Sequence, residues 1–269
     1  MRITVAILAK DEHDMIARAV SGARWADEVL VVDGGSRDDT RNIATLAGAR
    51  VVERPFDDFA RQRNFALEQA TQEWVFFLDA DERFTPELVE ELRALDGTHD
   101  AYAIPRRSMA LGRWLAWHPG GPDAPVRLLR KGSARWSGAV HETVEGAGSF
   151  GALRNAIVHL THRSVSEIVR KIDQYSEFEA AELVRTGARP PAAKAILASF
   201  PRAAWQLWRS GLKREGVEGA IETALLAFNR TLVLAKVWER TRKESLRETY
   251  ARADEALDAP KTEARTQER

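Results

Sequence analysis

The sequence of 269 residues predicts an α/β protein, with a mostly parallel sheet and flanking helices followed by a C-terminal helical region. Three observations predict it. Apolar runs at Ile3–Ala9, Glu28–Asp33 and Trp74–Leu78 alternate with stretches of helical periodicity, which is the pattern of βαβ units. The run WVFFL at 74–78 has no polar alternation, so it suits a strand covered on both faces. From Ser164 onward, apolar residues instead recur every three or four positions, as they do on helices packed by one face.

Each element has a local reason. Ile3–Ala9 is the first strand, and Asp11–Gly22 is predicted helical, with Met15, Ile16, Ala19 and Val20 on one side. EVLVVD at 28–33 is a buried strand ended by Gly34, Gly35 and Ser36. Asp38 or Asp39 can cap the next helix, which Gly48 stops. A short strand at Arg50–Glu53 precedes a helix at Phe59–Ala70. After the central strand, Thr85 and Pro86 form the cap and first position of a helix to about Leu95. Between Ala101 and Leu160 short strands (AYAIPRR, APVRLLR, RNAIVHL) are separated by Gly- and Pro-rich connections, the richest at Trp117–Pro125. The helical stripes that follow are Val165, Ile168, Ile172, Tyr175 and Phe178, then Val217, Ile221, Leu225, Phe228, Leu232 and Ala235. Residues 1–162 are expected to form the catalytic unit and 163–257 a helical region, with 258–269 as a polar tail.

Composition excludes several classes. Lys plus Arg equals Asp plus Glu at 40 each, so there is no basic excess to suggest nucleic acid. The absence of cysteine removes disulfides, thiolate nucleophiles and zinc–thiolate sites. The N-terminal run enters charged sequence at once, as a strand does and a signal peptide does not. The stretch 220–237 contains Glu222, Asn229, Arg230 and Lys236, which argues against a spanning helix.

The chemistry is concentrated at strand ends. Asp79 and Asp81 follow WVFFL two residues apart, so in an extended chain both carboxylates face the same way. A divalent cation held by one or two carboxylates while it binds phosphate suits such a pair, and a helix cap is the alternative use. Asp33 ends a second strand, and open parallel sheets bring such ends to one crevice. The Gly-Gly-Ser after it lets a ligand approach the backbone. A dinucleotide fingerprint is missing where the first strand runs into AKDEHD, and no P-loop occurs. A D-x-D-x-[TV] phosphatase would need Thr or Val at Arg83.

The ordered set ILAKDE, WADEVLVVDGGSRDDT, FARQRNFALEQA, WVFFLDADERFTPEL, VRLLRKG and VHE resembles family 2 glycosyltransferases, and within them the bacterial lipopolysaccharide-core β-1,4-glucosyltransferase-like group. The similarity runs from Ile3 to about Leu160 and continues more loosely through HRSVSEIVRKIDQYS. It implies a GT-A fold and an inverting transfer of a hexose, glucose as first expectation, from a UDP-sugar with Mg²⁺ or Mn²⁺. Asp79 and Asp81 would form the D-x-D pair at the diphosphate and metal, with Asp81 the direct ligand and His141 assisting. Asp33 would contact the uracil or ribose. Lys10, Asp11 and Glu12 would line the nucleotide pocket, although most relatives carry Asn at the position of Asp11. Arg63 and Asn64 would lie beside the nucleotide, with a solvated helix charge as the alternative for Arg63. Glu142 would be the general base and Asp123 the second choice.

The acceptor, a cell-envelope saccharide or glycolipid, has fewer signals. Trp114, Trp117, His118 and Trp136 flank the Pro-rich loop as sugar platforms or core. Residues 194–214 hold Lys194, Arg202, Arg209, Lys213 and Arg214 with no acid, interleaved with Trp205 and Trp208, which suits an anionic membrane surface. The expected location is therefore cytoplasmic, peripheral on the inner face of the cytoplasmic membrane. The competing readings are a nucleotidyltransferase, which would want a Gly-rich loop after the first strand, and an inactive scaffold at the membrane.

Overall fold

The structure, a computed structural model, describes residues 1–115, 123–138, 142–210 and 216–258. Its first half is built from β1 (Ile3–Ala9), α1 (Ile16–Gly22), β2 (Glu28–Asp33), α2 (Thr40–Leu46), β3 (Arg50–Glu53), α3 (Phe59–Gln69), β4 (Trp74–Asp79), β5 (Glu82–Arg83) and α4 (Pro86–Ala94). The short strands β6 (Ala101–Ala103), β7 (Arg106–Ala110), β8 (Arg113–Trp114), β9 (Val126–Arg130), β10 (Arg135–Ser137), β11 (Thr143–Glu145), β12 (Phe150–Ala152) and β13 (Ile157–Leu160) follow. Four helices complete the chain: α5 (Val165–Arg185), α6 (Ala193–Ser210), α7 (Gly216–Arg240) and α8 (Leu246–Asp258).

The main sheet has seven strands in the order β12-β6-β9-β4-β1-β2-β3. β1 lies between β2 and β4, parallel to both, and β9 runs antiparallel between β4 and β6. Successive residues of β4 alternate between two cores. Trp74, Phe76 and Leu78 pack toward Ile16, Leu88 and Leu92, while Val75 and Phe77 pack toward Ala66, Leu67 and Trp136. That two-sided burial is why WVFFL reads as a continuous apolar run. A second sheet, β5-β13-β7-β8, places β5 directly after the Asp79–Asp81 corner.

The starts of α3, α4 and α5 follow side-chain chemistry, while the N-cap residues of α1 and α2, Met15 and Asp39, make no side-chain cap hydrogen bond. The Thr85 hydroxyl accepts from the Leu88 amide at 3.2 Å, with Pro86 at the first helical position, as expected. Asp58 and Ser164 cap α3 and α5 in the same way. The predicted helix at 11–22 is shorter in the structure, because Asp11 sits at φ 56° and residues 12–15 form a turn. The predicted α7 stripe is rotated: Gly219, Thr223, Ala227, Val233 and Val237 are buried, while Val217 and Phe228 are 73% and 46% exposed. α7 packs against both α5 and α6. Two neighbours, not one apolar stripe, therefore decide which side faces inward. Residues 259–269 of the expected tail lie outside the described residues.

Candidate active site

The β-sheet register brings the strand-end acids together. Leu8 pairs with Asp79 and Ala9 with Asp33, so the two aspartates flank the end of β1 from either side. Above this edge, closed by α5 and α7, is a cavity of about 430 Å³ lined by Lys10, Glu12, Asp79, Asp81, His159 and Lys171 among others. Aromatic contacts hold α5 over the mouth, with Tyr175 stacked on Phe59 at 5.8 Å and Phe178 against Phe56 at 5.3 Å. Part of the stripe expected on α5 is therefore a wall of the site.

Asp33 is fully buried, and its carboxylate faces the following turn. It accepts from the Gly35 and Ser36 amides and from the Ser36 hydroxyl at 3.0, 2.9 and 2.5 Å. Gly35 at φ 88° makes that turn possible. Gly34, not Asp33, lines the cavity. Asp11 joins the β1 and β2 exits by accepting from the Arg37 amide at 2.7 Å. Its left-handed backbone, φ 56°, is one that Asn and Asp adopt more readily than other non-glycine residues. Lys10 lies with its ammonium 5.8 Å from the Phe56 ring centre.

Asp79 and Asp81 have different surroundings. Asp79 receives Arg127 Nη2 at 2.7 Å, and Arg63 Nη2 lies 3.6 Å away. Burial would raise its pKa, but the charges of Arg127 and Arg63 outweigh that and hold it well below the usual carboxylate range. Asp81 has His159 Nε2 at 3.4 Å and Lys171 Nζ at 3.1 Å from Oδ2. Burial pushes this carboxyl up, and the hydrogen bond and charge of His159, with Lys171, bring it down to about 2.

Glu12 shows the opposite balance. Burial and the neighbouring charge of Asp81 push its pKa up to about 7, against Lys171 and Arg163. A folded pKa above the unfolded value of 4.5 contributes stability that is fully present below 4.5 and lost as the pH rises through about 7. Glu12→Gln is therefore expected to gain stability relative to the unsubstituted chain by on the order of 1–2 kcal/mol as the pH rises across that window. Urea unfolding of both proteins at several pH values measures it, and parallel stability–pH curves would contradict it.

Arg63 is buried between rings, with its guanidinium 4.9 Å from Trp136 and 5.5 Å from Phe77, so it is not a solvated helix charge. Its Nε donates to Glu142 Oε1 at 2.8 Å. Asn64 clamps β10, donating to the Trp136 carbonyl and accepting from its amide, both at 2.8 Å. Trp136 itself is core. Asp123 accepts from Arg106 Nε at 2.5 Å. Glu142 and Asp123 are thus tied to the site through Arg63 and Arg106 and do not line the cavity. His141, Trp117 and His118 lie outside the described residues.

The residue pattern did not single out Glu82, Arg127, His159 or Lys171. Glu82 is fully buried and receives Arg127 Nη2 at 2.5 Å, and its Oε2 accepts from the Asp79 amide at 3.0 Å. Arg127 was visible only as a polar break in VRLLR, and His159 as one in AIVHL. Lys171 carries no local signal on a helix already rich in charge.

The implied divalent cation can be tested against these groups. No cluster of three or more His, Asp or Glu able to hold a metal occurs among the described residues. Asp81 Oδ2 and His159 Nε2, however, lie 3.4 Å apart beside the cavity. Adjacent ligands of an octahedral Mg²⁺-like ion are about 3 Å apart, and such ions keep waters and phosphate oxygens in their other positions. The Asp81–His159 contact is the hydrogen bond described above, with the His159 Nε2 as donor, so it is the Asp81 carboxylate alone that fits a cation completed by waters and phosphate oxygens, in place of the basic groups now on Oδ2.

Residues 4–157, more than half of the chain, match the family described as glycosyl transferase family 2. The lipopolysaccharide core biosynthesis glycosyltransferase LpsC of Rhizobium meliloti (strain 1021) is 30% identical over 245 residues, covering 87% of this chain and 91% of LpsC. An uncharacterised glycosyltransferase of Rickettsia typhi is 28% identical, covering 90% of this chain and 88% of its own length. Among solved structures, S. aureus TarS in complex with UDP-GlcNAc covers 94% of this chain and 92% of that chain, at 15% identity and a TM-score of 0.49. With a GT-A-type sheet, a D-x-D corner facing a cavity and a family match over residues 4–157, the chain belongs to glycosyl transferase family 2.

Proposed function

We propose that this chain is an inverting, metal-dependent transferase that moves a hexose, glucose as first choice, from a UDP-sugar to a saccharide or glycolipid acceptor of the cell envelope, such as lipopolysaccharide core. The observation that carries the proposal is the Asp79–Asp81 corner opening into a cavity that Lys10, Lys171 and Arg106 make partly cationic. Opposed charges at such a corner suit a nucleoside diphosphate with its counter-ion. The likeness to LpsC supports the choice of acceptor.

In this reading Lys10 and the turn held by Asp33 seat the nucleoside, and Asp11 keeps the two loops in register. Asp81 would hold the cation, which when bound offsets the growing charge on the departing diphosphate. Lys171 adds a second positive charge beside it. Glu142, oriented by Arg63, takes the proton from the acceptor hydroxyl as that oxygen attacks the anomeric carbon, and Asp123 is the alternative. Tyr175 and Phe59 exclude water from the donor, which limits its hydrolysis.

The test is a thermal-shift and hydrolysis screen of nucleotide sugars with and without Mn²⁺. UDP with Mn²⁺ should raise the Tm, since a ligand bound only by the folded state stabilises by about 2.7 kcal/mol at a hundred times its Kd. Absence of a shift with any nucleoside diphosphate would overturn the reading.

A further inference from the structure

The α6 helix has two long stripes of opposite character. At about 3.6 residues per turn, positions 196, 199, 203 and 207 fall on one side. This stripe packs on α7, with Ala203 buried and the Ser199 hydroxyl 2.8 Å from that of Thr231. Positions 194, 197, 201, 205 and 208 fall on the other. There Leu197 is 78%, Trp205 61% and Trp208 44% exposed. The helix therefore meets its packing need with one side and leaves its largest apolar groups facing outward.

Charge identifies what that side fits. From 193 to 210 there is no acidic residue, while Lys194, Arg202 and Arg209 are all exposed. Among the described residues no carboxylate pairs with these three. In a chain whose formal net charge is zero, this is a local concentration of positive charge beside exposed indoles. Arg209 lies over the Trp205 ring at 5.8 Å, so the cation and the aromatic group sit at one level. An apolar protein groove would match the indoles and leave the cations without partners. A bilayer with anionic headgroups matches both, because Trp rings settle at the headgroup boundary and basic side chains meet phosphate.

We infer that the outward face of α6 is a docking surface for an anionic phospholipid bilayer, with the helix lying in the plane of the interface. No helix among the described residues is long and apolar enough to cross a membrane, which agrees with attachment of this kind. α6 packs on α7, and α7 contributes Leu226 and Asn229 to the cavity wall. The inference does not depend on the transferase reading.

Flotation of the full chain with vesicles tests it. The chain should float with vesicles of equal parts phosphatidylcholine and phosphatidylglycerol and not with phosphatidylcholine alone. Added salt should weaken the binding, since a Debye length of about 10 Å at 0.1 M shrinks to about 3 Å at 1 M. Reversing Lys194, Arg202 and Arg209 to Glu should lower partitioning on the order of a hundredfold or more. Trp205→Ala with Trp208→Ala should also release the chain. Both variants alter exposed positions, so unchanged circular dichroism melting curves will show that they are folded. Equal flotation with both lipids, or flotation that survives both sets of substitutions, overturns the proposal. So does a concentration-dependent dimer that the Trp substitutions abolish while vesicle binding is absent, which would make this face a contact between copies of the chain.

Discussion

Asp81→Ala is expected to lower transfer by about a thousandfold or more and to abolish the stabilisation by UDP with Mn²⁺. Asp81 is the acidic group of the D-x-D pair that meets both His159 and Lys171 at the cavity, so its removal leaves an imidazole and an ammonium with no anion between them. The loss should not come from unfolding. Lys171 keeps Glu167 at 3.3 Å and His159 keeps the Ser108 hydroxyl at 3.2 Å, so neither is stranded. Steady-state kinetics alongside the melting temperature separates the two effects. A variant within about tenfold of the unsubstituted rate would remove Asp81 from the reaction.

Arg127→Ala should have the largest effect on stability. Arg127 is buried, and its Nη2 serves both Asp79 at 2.7 Å and Glu82 at 2.5 Å. Without it, a fully buried carboxylate and its neighbour face each other with the more distant Arg106, Arg63 and His159 to compensate, Arg106 lying 3.5 Å from Glu82. Breaking a buried ion pair from one side typically costs about 3–5 kcal/mol, because an uncompensated charge remains. Urea unfolding measures it. Adding Glu82→Gln to Arg127→Ala should recover part of the loss, since a neutral amide needs no counter-charge. A loss below about 1 kcal/mol for the single variant would show that the network carries little weight.

Much of this protein could be read without coordinates because local rules act on short stretches. The βαβ rhythm follows from apolar runs and their stops, and Thr85-Pro86 marks a helix start that the structure confirms through Leu88. The strand ends at Asp33 and Asp79 were legible for the same reason, and their meeting follows from a parallel sheet. The D-x-D corner was identifiable because both acids belong to one continuous segment.

Other features depend on partners far away in the chain. Arg63 on α3 read as a residue beside the nucleotide or as a solvated helix charge, and its burial needs Trp136 from β10. The face that α7 buries is set by two helices, so its own periodicity pointed to the wrong side. Lys171 and Tyr175 reach the site only because Phe178 and Tyr175 dock α5 on Phe56 and Phe59. By itself the sequence determined the sheet, its helices and the acids at the strand ends, since periodicity and turn chemistry operate over a few residues. Only the tertiary structure decided which charges pair, which are buried and which helix closes the cavity. Those outcomes depend on burial and on distances between groups as much as 90 residues apart, as Asp81 and Lys171 are.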